Sequence, residues 1–143
     1  MKQNFVLGMV LALGILIGAV SPRLLSAQPV PMKPTDLLKA DVVDMEGVEV
    51  IVTQGGFAPG ATSGKHTHPG HEVAYVLEGS AVLEVEGQAP LARKVGTVSY
   101  IPAKKVHEIK NGSTTEPMKL LVFRIHPKGQ PVTNRLTEPS IMK

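Results

Sequence analysis

Residues 60–79, GATSGKHTHPGHEVAYVLEG, concentrate potential metal ligands directly before an apolar strand. His66 and His68 are two residues apart, so on an extended chain both side chains project to the same side. Glu72 keeps that parity if Pro69-Gly70 forms only a tight turn. Two imidazoles and a carboxylate are the ligands of many first-row transition-metal sites, so this stretch predicts a metal centre.

A fourth donor lies in a second segment, residues 96–111, which read GTVSYIPAKKVHEIKN. His107 and Ile109 share one face of the strand predicted there, while Glu108 and Lys110 occupy the other, so we expect His107 to point inward. Only a fold that brings two distant strands together can add His107 to the first three ligands.

The two segments resemble the two motifs of the cupin family. The first motif is matched at each of its fixed positions, Gly60, His66, His68, Glu72 and Gly79. The second is matched at Gly96, Pro102, His107 and Asn111. Lys104 stands where that motif usually has glycine, and a non-glycine residue at positive φ costs about 1 kcal/mol. The resemblance implies an all-β jelly-roll barrel, the double-stranded β-helix, with His66, His68, Glu72 and His107 as metal ligands.

The rest of the chain also favours short strands over helices. Val48, Val50 and Val52 alternate with other residues and predict a strand with one wholly apolar face. Residues 73–77 are apolar on both faces, and we expect them to form a hairpin with residues 81–85. Further strands are predicted at residues 98–101 and 118–125. A short helical turn is expected after Thr35, because threonine caps helices well.

Composition limits the domain count and the partners. With 143 residues, 12 prolines, 14 glycines and no cysteine, the chain fits one domain plus an N-terminal extra. Aromatic residues make up only 3%, which argues against a stacking platform for single-stranded nucleic acid. The net charge is +3 and the basic residues are scattered, so nucleic acid is not an expected partner.

The N-terminus has the layout of a secretory signal peptide. Lys2 precedes the apolar residues 5–20, and the small residues Ser26-Ala27 follow. An uncleaved anchor is the alternative, because an apolar run of this length is near the lower limit for crossing a bilayer. We therefore predict a signal peptide at 1–27, an extended arm at 28–44, a barrel at 45–126 and a tail at 127–143, in a periplasmic or secreted protein.

Three imidazoles and one carboxylate suit one divalent transition metal ion per chain, such as Mn, Fe, Co, Ni, Cu or Zn. Four protein ligands on an octahedral ion leave two positions for substrate, which makes catalysis plausible. Tyr100 is the candidate catalytic residue: it is predicted either to pack in the core or to donate a hydrogen bond into the pocket. His71 is expected at the rim without a metal role, and His126 is expected to be structural.

These observations predict a metal-dependent oxygenase or related oxidoreductase that acts on a small anionic or enolizable substrate. A lyase or isomerase is the alternative, and it needs a non-ligand acid or base, for which Tyr100, His71 and Glu84 are the candidates. A third possibility is a binding protein without turnover. Small cupins commonly form dimers through strand exchange, and the long tails here are compatible with a homodimer.

Overall fold

The structure, a computed structural model, describes residues 32–136. The predicted signal peptide, part of the arm and the end of the tail lie outside these residues. Within them, no helix is long and apolar enough to cross a membrane. Ten strands are formed: β1 Lys33–Asp41, β2 Val48–Phe57, β3 His66–Thr67, β4 His71–Glu78, β5 Ser80–Val85, β6 Leu91–Lys94, β7 Val98–Ile101, β8 His107–Asn111, β9 Met118–Pro127 and β10 Asn134–Arg135.

The strands form two five-stranded antiparallel sheets. The first has the order β1-β2-β9-β4-β7 and the second the order β10-β3-β8-β5-β6. Phe57, Met118 and Leu120 of the first sheet pack in one buried cluster with Ala81 of the second. The inner faces of the two sheets therefore share a core, and the predicted all-β jelly-roll fold is confirmed.

The inward face of β2 carries both polar and apolar side chains. Glu49, Ile51 and Thr53 are buried at 4–6% exposure. Of the three valines on the predicted apolar face, Val52 is buried, whereas Val48 and Val50 are only half-buried. The inner face of the first sheet thus carries polar side chains among apolar ones. The predicted alternation is present, and the side of the strand that faces the interior carries Glu49 and Thr53, because the interior of this fold holds a polar site.

The predicted hairpin between residues 73–77 and 81–85 is also wrong. Strand β4 pairs with β7 and β9, whereas β5 pairs with β6 and β8 in the other sheet. The chain crosses between sheets at Gly79, which has φ of 74°. A Cβ there would lie 2.5 Å from the carbonyl oxygen of Pro117, so the crossing requires glycine.

Residues 33–41 form a strand instead of the expected helical turn. Strand β1 pairs with β2 along its length, from Lys33 opposite Gly56 to Asp41 opposite Glu49. Pairing with an existing strand outweighs the weak local helix signal at Thr35. The sheets therefore extend beyond the predicted barrel limits of 45–126, because they include β1 and β10.

Lys104 keeps the backbone shape that glycine would adopt. Its φ is 63°, in the left-handed region where a side chain is unfavourable. Its N–H donates a hydrogen bond to the carbonyl oxygen of His68 at 2.7 Å. The turn is therefore retained at some energetic cost, and it supports the backbone of a candidate metal ligand.

Replacing this lysine should stabilise the protein. We expect Lys104→Gly to raise the free energy of unfolding by about 0.5–1 kcal/mol. Glycine removes the strain of the left-handed conformation, and this gain exceeds the loss caused by the greater entropy of glycine in the unfolded chain. Lys105→Gly is the control, because Lys105 has no positive φ and should lose stability. Urea denaturation of both variants provides the measurement, and a loss of stability in Lys104→Gly would contradict the prediction.

Candidate metal centre

Three different strands and one loop position the four predicted ligands. His66 in β3 lies directly opposite His107 in β8, so these two side chains project to the same face of the second sheet. His68 follows β3, and Glu72 projects inward from β4 of the first sheet. All four side chains are buried. The fold thus brings together the residues that the two motifs predict.

The imidazoles converge through their Nε2 atoms. His66 Nε2 lies 3.1 Å from His68 Nε2, and one ligand nitrogen from each of His66, His68 and His107 lies within 4.8 Å of the others. The ring centroids are 4.3 to 5.2 Å apart, without parallel stacking. This three-histidine group could hold a metal ion.

Backbone carbonyls fix the tautomer of each ring. The Nδ1 atoms of the three rings lie 2.6–2.9 Å from carbonyl oxygens, for His66 that of Gly64, for His68 that of Val132 and for His107 that of Lys105. A carbonyl oxygen only accepts, so each Nδ1 carries the hydrogen and, in a neutral ring, each Nε2 presents a lone pair. Three lone pairs therefore point towards one place.

This arrangement fits a bound cation. His107 Nε2 is buried and has no hydrogen-bond partner within residues 32–136. An unpaired buried acceptor is costly, and two facing Nε2 acceptors at 3.1 Å repel each other. A metal ion would satisfy all three nitrogens at once, and the carbonyl partners would act as the supporting contacts that orient metal-bound histidines.

Glu72 lies beside the three-histidine group and is held by Arg124. Its Oε2 accepts hydrogen bonds from Arg124, with Nε and Nη2 each 2.8 Å away, and lies 2.9 Å from His68 Nε2. Its Oε1 lies 3.7 Å from His107 Nε2, beyond a hydrogen bond. Oε2 thus contacts both the guanidinium and the His68 ring, while Oε1 faces His107.

The protonation states suit metal binding. Burial lowers the pKa of His66 from 6.5 to about 4, and the neighbouring imidazoles add to this effect. Burial alone would raise the pKa of Glu72, but contacts with His107, His68 and Arg124 hold that pKa well below its usual range. At neutral pH, His66 is therefore neutral and Glu72 is ionised, as ligands must be.

The imidazoles open onto a cavity of about 330 Å³. Its wall is partly apolar, with Ile51, Phe57, Ile109, Leu120 and Val122 among the lining residues. Charged groups also line it: Asp36, Lys39, Arg124 and Arg135. The volume is at the small end of the range for ligand sites, so the cavity is suited to a small molecule.

Tyr100 does not reach this cavity. It lies on the outer face of β7, is 60% exposed, and its hydroxyl is 2.7 Å from His71 Nδ1. The two rings stack on the outside of the first sheet. Glu84 also points away from the cavity and pairs with Lys110 at 2.9 Å. The catalytic role predicted for Tyr100 therefore conflicts with its position. Tyr100 lies on the face of β7 that is exposed to solvent, whereas its neighbours Ser99 and Ile101 are buried.

Asn111 and His126 have structural contacts outside the group of predicted ligands. Asn111 orders a turn, because its Nδ2 donates to the carbonyls of Ala58 and Glu116 and its Oδ1 accepts from the Ser113 N–H. His126 is 1% exposed and is not among the residues that line the cavity. The placement of His126 agrees with the structural role expected for it.

Several charged cavity residues were missed by the sequence analysis. Arg124 could have been found from the sequence. It is a charged residue in an otherwise apolar strand, and it lies on the same face as Leu120 and Val122. Asp36 was assigned to a helical turn, and Arg135 lies in a tail without clear periodicity. Those two could not be found from pattern alone, because their partners are distant in the sequence.

Comparison with known proteins identifies the family. The family described as Cupin domain matches residues 55–124. The beta-alanine degradation protein BauB of Pseudomonas aeruginosa is 36% identical over 77 residues, 52% of this chain and 80% of the relative. The chain belongs to the cupin family. The candidate centre thus lies within a cupin domain, whereas β1 and β10 lie outside the matched residues.

Solved structures share the fold of this cupin. A cupin superfamily protein from Desulfitobacterium hafniense is 21% identical with a TM-score of 0.57, covering 70% of this chain and 82% of the other. The DMSP lyase DddQ from Ruegeria pomeroyi is 17% identical with a TM-score of 0.59, covering 73% of this chain and 51% of the other. At these identities the likeness concerns the fold alone.

The centre can be tested by removing two imidazoles. We expect His66→Ala combined with His107→Ala to abolish stoichiometric metal, because only one of the three converging nitrogens remains. Elemental analysis of purified protein is the measurement, with circular dichroism to check the fold.

The matched control is His71→Ala, which removes a histidine beside Glu72 that lies on the outer face of the sheet. It should keep the metal content of the wild type. Equal metal in the wild type and the double variant would contradict the assignment of the site.

Proposed function

We propose that this cupin is an exported metal-dependent oxygenase or related oxidoreductase that acts on a small anionic or enolizable molecule. His66, His68, His107 and Glu72 would hold one divalent transition metal ion. The observation that carries the proposal is the convergence of three buried Nε2 atoms at the wall of a cavity that admits a small molecule.

The ligand set supports an open centre. A bound ion would act as a Lewis acid and as a template for substrate, since three nitrogens and one oxygen leave positions free on an octahedral metal. Arg124 positions Glu72 by holding its Oε2. The imidazoles keep their orientation through the carbonyls of Gly64, Lys105 and Val132.

Charge and size support a small anionic substrate. Lys39, Arg124 and Arg135 line the cavity against two carboxylates, Asp36 and Glu72. The cationic groups would attract an anion. The relative BauB is named for the degradation of β-alanine, a small amino acid that carries a carboxylate group.

The residues that line the cavity bear on the choice between oxygen chemistry and proton transfer. Oxygen chemistry is favoured by the absence of the predicted acids and bases from the cavity wall. The three residues considered for proton transfer, Tyr100, His71 and Glu84, do not line the cavity. Asp36 favours the alternative, a lyase or isomerase, because it is a carboxylate at the cavity wall that is not among the predicted ligands. Its Oδ1 accepts a hydrogen bond from Thr53, which keeps the carboxylate near the cavity.

An oxygen electrode separates these functions. Iron- or manganese-loaded protein is supplied with a panel of small enolic and carboxylate substrates, and we expect oxygen uptake with product formation that persists in Asp36→Asn. Product without uptake that disappears in Asp36→Asn would favour the lyase or isomerase. Saturable binding without product would favour a binding protein and contradict both enzyme proposals.

A homodimer is the proposed assembly, and the outer face of the first sheet supports it. Neighbouring strands there expose Val73, Tyr75, Val98, Phe123 and Ile125 at 36–58%. An apolar sheet face of this kind is usually covered. These side chains carry no charge, so two copies can pack sheet against sheet without repulsion between like charges.

The dimer prediction is tested at Phe123. We expect wild-type protein to elute as a dimer in size-exclusion chromatography with light scattering, and Phe123→Glu as a monomer, because a buried unpaired carboxylate disfavours the interface. Val43→Glu is the control, since Val43 is 82% exposed in the loop after β1. A wild-type monomer at all concentrations would refute the dimer.

Export is proposed from the N-terminal sequence, which lies outside the described residues. Lys2, the apolar residues 5–20 and the small residues Ser26-Ala27 support it. We expect an immunoblot of fractionated cells to find protein shortened by about the first 27 residues outside the cytosol. Full-length protein confined to the cytosol would contradict export.

A further inference from the structure

The C-terminal segment beyond the family match is built into the candidate metal centre. Strand β10 pairs with β3, so that Arg135 lies opposite His66. The carbonyl oxygen of Val132 accepts the hydrogen bond from His68 Nδ1 at 2.6 Å, and Leu136 N–H donates to the Lys65 carbonyl at 3.0 Å. This segment lies after residue 124, where the cupin match ends.

Pairing with β3 directs Arg135 towards the cavity. Residues opposite each other in an antiparallel pair project to the same face, so the side chain of Arg135 lies on the face of His66. Both residues line the same cavity. Arg135 is exposed, and its Nη1 donates to the carbonyl oxygen of Ser63 at 2.8 Å, which holds the guanidinium at the cavity wall.

The charge of Arg135 distinguishes it from the other cations that line the cavity. Arg124 forms an ion pair with Glu72, and Lys39 forms one with Glu49 at 3.1 Å. Within residues 32–136, Arg135 forms no ion pair with a carboxylate. Its guanidinium has five N–H donors, and the carbonyl of Ser63 occupies only one nitrogen.

We propose that Arg135 binds a carboxylate group of the substrate at the wall of the cavity. The planar guanidinium matches a carboxylate with two parallel hydrogen bonds, and these charge-assisted bonds are strong. The ligand class is a small carboxylic acid anion, in keeping with the volume of the cavity. The inference rests on the proposed function and assigns the substrate anchor to a strand outside the matched cupin domain.

Malonate and its uncharged analogue malonamide provide the probes. Full-length protein is loaded with Co²⁺, its cobalt content is measured, and each probe is titrated by calorimetry. We expect malonate to bind the wild type more tightly than malonamide. Arg135→Gln should weaken malonate binding by about tenfold or more while cobalt content stays at the wild-type level, because a charge-assisted pair is lost. Arg135→Lys should retain part of the affinity, since lysine keeps the charge without the planar fork.

Lys94→Gln is the matched control. It removes one positive charge from an exposed residue of β6 in the same sheet, away from the cavity lining, and should leave malonate binding unchanged. Equal malonate affinity in the wild type and Arg135→Gln would overturn the inference. Equal binding of malonate and malonamide to the wild type would also overturn it. A loss of cobalt together with malonate binding in Arg135→Gln would likewise overturn it, because it would indicate a structural role for Arg135.

Failure of the proposed function has a different signature. A wild-type protein that takes up no cobalt would overturn the metal centre itself. The titrations are then made with metal-free protein, where weaker malonate binding in Arg135→Gln supports the inference and equal binding refutes it.

Discussion

Three buried imidazole nitrogens that converge on one place form the constraint on which the rest of this structure depends. The rings of His66, His68 and His107 each donate the Nδ1 hydrogen to a backbone carbonyl. In neutral rings the Nε2 lone pairs therefore face a common point. Such an arrangement is unfavourable without a cation, because buried acceptors lose their water and repel one another. The loops around the barrel hold the three carbonyls in place and thereby enforce the arrangement.

A polar centre inside a small barrel determines which side chains lie on the inner and outer faces of the first sheet. Glu49, Thr53, Glu72 and Arg124 occupy inward positions of the first sheet, and the buried charges are paired: Glu72 with Arg124, and Glu49 with Lys39. Pairing offsets the cost of removing these charges from water. The apolar residues of the same strands then lie on both faces, and the outer face becomes a surface suited to contact with a second copy.

The cupin domain and the flanking strands contribute differently to the site. The matched domain supplies the four predicted ligands and most of the cavity wall. Strands β1 and β10 add Asp36, Lys39 and Arg135, and the segment before β10 adds the Val132 carbonyl that orients His68. Charges on flanking segments can change without disturbing the ligand set, so they are a physical means by which one metal centre can be adapted to different small molecules.

The pairing of His66 with His68 was readable from the sequence, because a spacing of two residues places both side chains on one side of an extended chain. Glu72 and His107 lie on other strands, and they were identified through the spacings of the two motifs. Lys104 was likewise recognised as a strained substitution, since its left-handed conformation is set by a short turn. The positions of most strands also follow from the pattern of nearby residues.

Only the tertiary structure decided which strands pair, which faces point inward and which distant charges meet. Periodicity indicates that β2 alternates, but it does not say which side is the interior, so the burial of Glu49 and Thr53 was not predicted. It also does not identify partners, so β4 and β5 were joined in a hairpin although they belong to different sheets. Arg135 reaches His66 through pairing between segments far apart in the chain, and such contacts depend on the whole fold because no local interaction specifies them.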